Sequence, residues 1–448
     1  MGLYARVINV LSFNVVQTIA SKGLAFLNLA ILIRLLATEE IGIIGLAGGY
    51  VALLGFILIL PESVFIRDFP KIKNKINQYL SSFFAFSLLR SGVLLLLGGI
   101  VAAWLGINGS DPRLPVYFML LVGSTVLTSL SGPFREAFYA NFRQARIALI
   151  DLSLNVLSII SLALLYFSQD VITYGILQVV VALIGIGWWY QNAHSKLGFT
   201  FTLFPGWMAL SWASIQGFAL WNHFSGIAIR LVSQSDIVIL GFFSTLTELG
   251  NYSVALTISG VCFVFPQLVQ KAASLSFSQS DANTANPVML GAVVRYNTLF
   301  SLAQFLAYII AGPFLLPLLV PEHFNVVWEY SLYLVGGVTL YNLARPWLSL
   351  IVIKVNPMMF FFQLFLIPCT ASVVIYWFFA AEYGALGVAQ ANMLAYGLLG
   401  VMTILYARYK IKTTPSFKLL PFETRALARV RKMILGKINY TARRSSTR

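Results

Sequence analysis

The chain has 448 residues, 59% of them apolar and only 10% charged. Soluble domains carry about 25% charge, so an ordinary cytosolic enzyme is excluded. Thirty Lys and Arg against fifteen Asp and Glu give a net charge of +15, which on a soluble surface would point to nucleic acid. Beside membrane spans the same excess reports orientation, because Lys and Arg gather on cytoplasmic loops. Two cysteines rule out a disulfide framework, and three histidines offer little for a metal site, so none is assigned.

A membrane helix needs about 20 mostly apolar residues. That window predicts twelve spans, at roughly 12–36, 41–60, 79–104, 115–138, 147–167, 171–190, 215–241, 251–272, 294–319, 329–351, 358–380 and 385–407. Barrel strands are shorter and alternate, which leaves an all-α polytopic membrane protein. The first span lacks a small-residue cleavage site and runs straight into the second, so it is expected to be retained. Arg6, Arg67, Lys71, Lys73, Lys75, Arg143, Arg146, Lys196, Lys271 and Lys354 fall on one side. Glu39, Glu40, Asp111, Asp170, Glu248, Glu322, Glu329 and Glu382 fall on the other, with Arg113 and Arg34 as exceptions. The asymmetry predicts that both termini are cytoplasmic and excludes nucleic acid as the partner.

The organisation follows from these spans: an N-terminal six-helix lobe at 1–190, a cytoplasmic linker at 191–214, a second six-helix lobe at 215–407 and a basic tail at 408–448. The tail holds twelve Lys and Arg against Glu423 alone, or +11 of the +15. Its stretch ETRALARVRKMILGKINY reads either as a basic amphipathic helix on anionic lipid or as a solvated charged tail. The two halves also repeat. Glu40-Ile41-Gly42 matches Glu248-Leu249-Gly250 at an offset of 208 residues, and the same offset places Lys22 on Arg230. An offset of 210 places Arg135 on Arg345. Halves of six spans share one topology, so the axis relating them runs along the membrane normal.

Charges inside spans cost about 2.5–3.5 kcal/mol each on insertion scales and normally face a cavity or pair. Lys22, Arg90, Arg230, Arg345 and Asp236 are such residues. Polar stripes accompany them: Asn14 and Asn28 in span 1, Ser87 in span 3, Thr128 in span 4, and Asp151 and Asn155 in span 5. Asn222 in span 7 and Asn297 and Gln304 in span 9 continue the pattern, which predicts a polar chamber between the lobes. Cations there favour an anion, with Arg suited to phosphate oxygens, and polar stripes suit sugars. A lipid-linked sugar diphosphate meets both demands, with Lys22, Arg90, Arg230 and Arg345 on the diphosphate. The competing reading is that each cation pairs with a carboxylate such as Asp151, Asp236 or Glu136 and only joins helices. Asp236 has two readings of its own, a structural partner across helices or an ion-coupling group; Asp151 is the second candidate for coupling. Glu62, beside Pro61, is expected at the interface. Pro133, Pro266, Pro313, Pro317, Pro346 and Pro368 are expected to kink their helices.

The segment DIVILGFFSTLTELGNYSVA, from Asp236 to Ala255, resembles the signature of the polysaccharide flippases of the MOP superfamily, and RLLATEEIGIIGLA is similar to their first repeat. The resemblance extends to twelve spans, a mid-chain division and a basic C-terminus. It implies a Wzx-like flippase of the cell inner membrane that moves an undecaprenyl-diphosphate-linked oligosaccharide by alternating access. It further implies H+ or Na+ as coupling ion, and a polysaccharide polymerase and chain-length regulator as partners. No cofactor and no catalytic residue are implied. Two other readings are weighed against it. A MATE-type multidrug or cation antiporter shares the architecture but needs acidic lumen residues. A membrane-embedded glycosyltransferase or polymerase would need catalytic acids or a large external loop. No GxxxxGK[ST] occurs, so the chain is not itself an ATPase.

Overall fold

The computed structural model describes residues 3–59, 61, 62, 65, 75–109, 111–141, 143–216, 218–279, 287–324, 326–412, 414–416 and 418, with the side chains of 3–15 and a few others left aside. The expectations for Arg67, Lys71, Lys73 and the tail beyond 418 therefore lie outside the described residues. The first half comprises α1 (Leu3–Leu35), α2 (Thr38–Leu54), α3 (Ile76–Asn108), α4 (Arg113–Leu130), α5 (Gly132–Ala140), α6 (Gln144–Ser168) and α7 (Val171–Leu197). A short α8 (Trp207–Ile215) leads to the second half: α9 (Phe218–Leu240), α10 (Leu246–Val261), α11 (Val264–Gln279), α12 (Pro287–Leu319) and α13 (Val327–Lys354). One turn at Pro357–Phe360 and a π turn at Phe361–Phe365 then run into α14 (Leu366–Ile411). Among the described residues there are no strands, the helices make twelve segments in two six-helix lobes once the broken ones are joined, and nine stretches are long and apolar enough to cross a membrane.

Two spans are broken where prolines dictate. A proline clashes with the carbonyl four residues back and has no N–H to give it. Pro133 separates α4 from α5, and the carbonyl of Ser129 accepts instead from Arg90 Nη2 at 3.4 Å. Pro266 separates α10 from α11, and the carbonyl of Cys262 accepts from Asn342 Nδ2 at 3.0 Å. Neighbouring helices thus satisfy the freed groups, as lipid-embedded backbone requires. Pro313, Pro317 and Pro346 remain inside continuous helices. The last two spans form one helical stretch divided at Gly384, whose φ of +57° and ψ of −142° only glycine adopts without strain.

The helix pairings of the two halves correspond. In the first, α1 packs on α6, α2 on α4, α3 on α4 and α4 on α7. In the second, α9 packs on α14, α10 on α13, α12 on α13 and α13 on α14. The lobes meet chiefly where α2 lies against α10 and α9. Gly42 faces the backbone of Leu246, and Gly250 faces the backbone of Thr38, each too close for any side chain. The offset of 208 carries Gly42 onto Gly250 and Thr38 onto Leu246, so the two contacts are reciprocal and the repeat seen in the sequence is a local two-fold at this seam. Gly45 sits there against Ser253, again at the same offset.

Two arginines make ties at the acidic end of the bundle. Arg113 pairs with Asp111 at 2.7 Å and reaches Glu40 at 3.4 Å, and the Arg113 guanidinium holds the Asp111 carboxyl below the usual carboxylate range. Arg34 Nη2 donates across the lobes to the Leu318 carbonyl at 2.8 Å. At the other end, the segment between the lobes is more than a tether. Ser211 of α8 donates to the Ser82 carbonyl at 3.3 Å, and Asn77 Nδ2 donates to the Thr200 carbonyl at 3.1 Å, so it is fastened to α3.

Candidate functional site

The four cations separate into two exposed and two buried. Lys22 is exposed on α1, one turn before Phe26 and in line with Ala30 and Ile33. Those three residues face Val254, Ile258 and Leu316 of the second lobe across a narrow apolar gap. Lys22 therefore extends the stripe of α1 that looks toward the second lobe. Arg230 is exposed on α9, and its guanidinium occupies the space over Gly55 at the end of α2. Arg230 thus reaches the first lobe, and Lys22 shares the face of α1 that meets the second. Neither forms an ion pair among the described residues.

Arg90 is otherwise engaged. It is 3% exposed and donates to Glu62 Oε1 at 2.8 Å and to the Ile59 carbonyl at 2.5 Å. Glu62, expected at the interface, is 1% exposed and enclosed with it. The pair pins the irregular chain after α2 to α3. Arg345 is also buried, but without a carboxylate. Its Nε donates to Asn342 Oδ1 and its Nη1 to Gln270 Oε1, each at 2.7 Å, and its guanidinium lies 5.0 Å from the ring centres of both Phe263 and Tyr341. A cation held between two aromatic faces gains stabilisation without a counter-charge.

Asp236 is fully buried and has no cation on it among the described residues. Its Oδ2 accepts from Tyr252 Oη and Asn392 Nδ2, each at 2.7 Å, and its Oδ1 accepts from the Ile237 N–H at 2.8 Å. Asn392 Oδ1 beside it has no hydrogen-bond partner. Neutral donors alone hold this carboxylate among the described residues.

The polar residues expected in one chamber are not brought together. Thr128, Asp151 and Asn155 line a cavity of about 500 Å³ inside the first lobe, between α1, α4, α6 and α7. Asn28 joins α1 to α6 through Ser158 at 3.2 Å. Asn297 is buried in the second lobe, where it donates to the Asn342 carbonyl at 2.6 Å. Ser87 is buried in α3 with no partner for its hydroxyl, and Gln304 is half-buried on α12. The side chains of Asn14 and Asn222 lie outside the described residues.

Several participants escaped the sequence reading. Gln17 donates to Asp151 Oδ2 at 2.7 Å, and Arg135 forms an ion pair with the same carboxylate. Arg135 carried a signal, its match to Arg345 in the repeat. Glu62, Gln270 and Asn392 carried none, because their partners lie 28, 75 and 156 residues away.

No protein-family model and no curated protein sequence matches the chain. Solved structures do. An inward-facing multidrug-resistance MATE family transporter of the MOP superfamily superposes with a TM-score of 0.66 at 12% identity, over 88% of this chain and 94% of that one. The lipid II flippase MurJ in an inward closed conformation gives 0.65 at 14% identity, over 90% and 88%. A eukaryotic MATE transporter gives 0.60 at 12% identity, over 91% and 99%. These neighbours are transporters and a flippase, and the chain shares their helical membrane fold.

Proposed function

We propose that the chain is a flippase of the cytoplasmic membrane that moves a polyprenyl-diphosphate-linked oligosaccharide between leaflets by alternating access. The observation that carries this reading is the placement of Lys22 and Arg230. They are matched cations, exposed, without counter-ions among the described residues, and on faces that meet the opposite lobe. Two such charges on facing lobes suit one diphosphate, whose oxygens accept from both. Arg90 and Arg345 then serve as fixed scaffolding, since exposing either would break a buried arrangement. The basic end is cytoplasmic by the charge asymmetry. The polyprenyl chain stays in lipid while the headgroup enters between the lobes.

Asp236 supplies the ion coupling in this reading. A fully buried carboxylate without a cation changes charge when H+ or Na+ arrives, and a change in lobe packing follows. The glycan belongs to polysaccharide biosynthesis, made by glycosyltransferases on the inner face and consumed by a polymerase outside.

The test is genetic. Lys22→Gln and Arg230→Gln, together, should leave the protein inserted at normal level while lipid-linked repeat units accumulate on the cytoplasmic face and surface glycan falls at least tenfold. Normal surface glycan in the double variant would refute the assignment.

A further inference from the structure

The first-lobe cavity contains a charge pair that the diphosphate site above does not use. Arg135, on α5, is 50% exposed, and one of its terminal nitrogens, Nη2, meets Asp151 on α6. Asp151 is only 15% exposed and takes a second donor from Gln17 of α1. The remaining N–H groups of Arg135 have no partner among the described residues, so one edge of the guanidinium stays open. Such an edge binds an oxyanion in bidentate fashion. The wall around it is rich in acceptors. The hydroxyl of Thr128 donates to the Ser124 carbonyl at 2.8 Å and that of Ser131 to the Thr128 carbonyl at 2.6 Å, leaving oxygen lone pairs turned outward. Asn155 adds an amide, and the volume of about 500 Å³ lies within the range of small-molecule sites.

We propose that this cavity is an oxyanion-gated glycan subsite, in which Arg135 leaves Asp151 for an oxyanion of the headgroup and Asp151 then takes up a proton. This rests on the reading of the substrate as a lipid-linked glycan. Only one bond forms, the O–H on the Asp151 carboxyl, with its proton drawn from water; the guanidinium keeps its charge throughout. A nearly buried carboxylate that loses its one cation keeps only the neutral amide of Gln17 and becomes an unpaired charge, which a proton removes. The helices packed on α6 are α1, α5 and α7. Of their other charged or titratable groups, Lys22, Glu136, Tyr174 and Tyr190 form no ion pair or hydrogen bond with Asp151, and neither do Arg143 and Arg146, which stand at the same end of α6 just before it, Arg143 donating to the Lys196 carbonyl instead. One negative group and one proton therefore enter together. Release of Asp151 from Arg135 leaves Gln17 as its tie to α1, the helix that carries Lys22.

The oxyanion has two sources, the diphosphate or the carboxylate of an acidic sugar, and the test separates them. The full chain carrying Lys22→Gln and Arg230→Gln, in phosphatidylcholine nanodiscs, is titrated with inorganic pyrophosphate and, separately, with glucuronate. Calorimetry at pH 7 in two buffers of different ionisation enthalpy reads affinity and proton uptake together. At least one ligand should bind with uptake of up to one proton. Arg135→Gln should weaken it at least tenfold, and Asp151→Asn should bind with no uptake. Binding of pyrophosphate alone assigns the site to phosphate; binding of glucuronate alone assigns it to an acidic sugar. If Asp151→Asn fails to fold, Arg135→Gln decides, since its loss must remove both binding and uptake. Absence of binding by both ligands, unchanged affinity in Arg135→Gln, or unchanged uptake in Asp151→Asn overturns the gate. Binding and proton uptake as expected, together with a wild-type chain that moves no glycan in cells, overturns the flippase reading alone.

Discussion

The two lobes share their helix pairing and differ in where they place charge. Arg135 and Arg345 occupy matched positions, yet one is half-exposed on a cavity beside Asp151 and the other is sealed between Phe263 and Tyr341. The first lobe keeps its acid beside a cation and near water, whereas the second keeps Asp236 dry and held by neutral donors. Lys22 and Arg230, by contrast, are both exposed. A repeat therefore fixes the backbone and the seam, while each lobe fills its interior with its own polar chemistry. In the function proposed above, substrate recognition falls at the seam and in the first lobe, and the dry carboxylate of the second lobe is the coupling group.

The largest expected effect falls on the buried pair. Glu62→Gln leaves Arg90 charged and 3% exposed, and loss of one partner of a buried ion pair costs roughly 3–5 kcal/mol. Thermal unfolding in detergent should show a fall of many degrees, with Glu62→Leu/Arg90→Leu recovering much of it. Recovery in the double variant marks Arg90 as scaffold; failure to transport in that variant despite recovery would return Arg90 to the substrate site.

A smaller effect is expected at the seam. Gly250→Leu forces a side chain into the Thr38 backbone, and overpacking of this kind costs about 1–3 kcal/mol. Its partner Gly42→Leu should cost about the same, because the contacts are reciprocal. Unequal losses in the two variants would show that the local two-fold does not govern the interface.

The smallest stability change separates the matched arginines. Arg345→Met keeps volume between the two rings but leaves Asn342 Oδ1 and Gln270 Oε1 without their donor, a loss of about 1–3 kcal/mol. Arg135→Gln changes an exposed position and should leave melting within about 0.5 kcal/mol. Function should divide them: Arg135→Gln lowers transport, whereas Arg345→Met retains it. Equal loss of transport in both would erase the distinction between the lobes.

How much of this was legible in sequence depends on the physical range of the signal. Twelve spans were readable because a bilayer demands an apolar run, and the repeat was readable because Gly42 and Gly250 admit no side chain at the seam. The breaks at Pro133 and Pro266 were readable as kinks, but not the groups that cap them, since Arg90 and Asn342 come from other helices. Helical periodicity likewise showed that Lys22 and Asp151 sit on polar faces without revealing which neighbour each face meets. The split of one expected chamber into a first-lobe cavity and a closed second-lobe core depends on those neighbours. Glu62 lies in irregular chain, where no periodicity exists to read.

The central claim is tested most directly in proteoliposomes that contain the full chain and a fluorescent polyprenyl-diphosphate oligosaccharide. Exposure of the inner-leaflet pool to an external glycosidase reports its movement across the bilayer. The account predicts rapid, ion-dependent loss of the protected pool with wild type, and protein-free rates with Lys22→Gln/Arg230→Gln. Equal rates for wild type and the double variant, or wild-type rates no faster than protein-free liposomes, would contradict it.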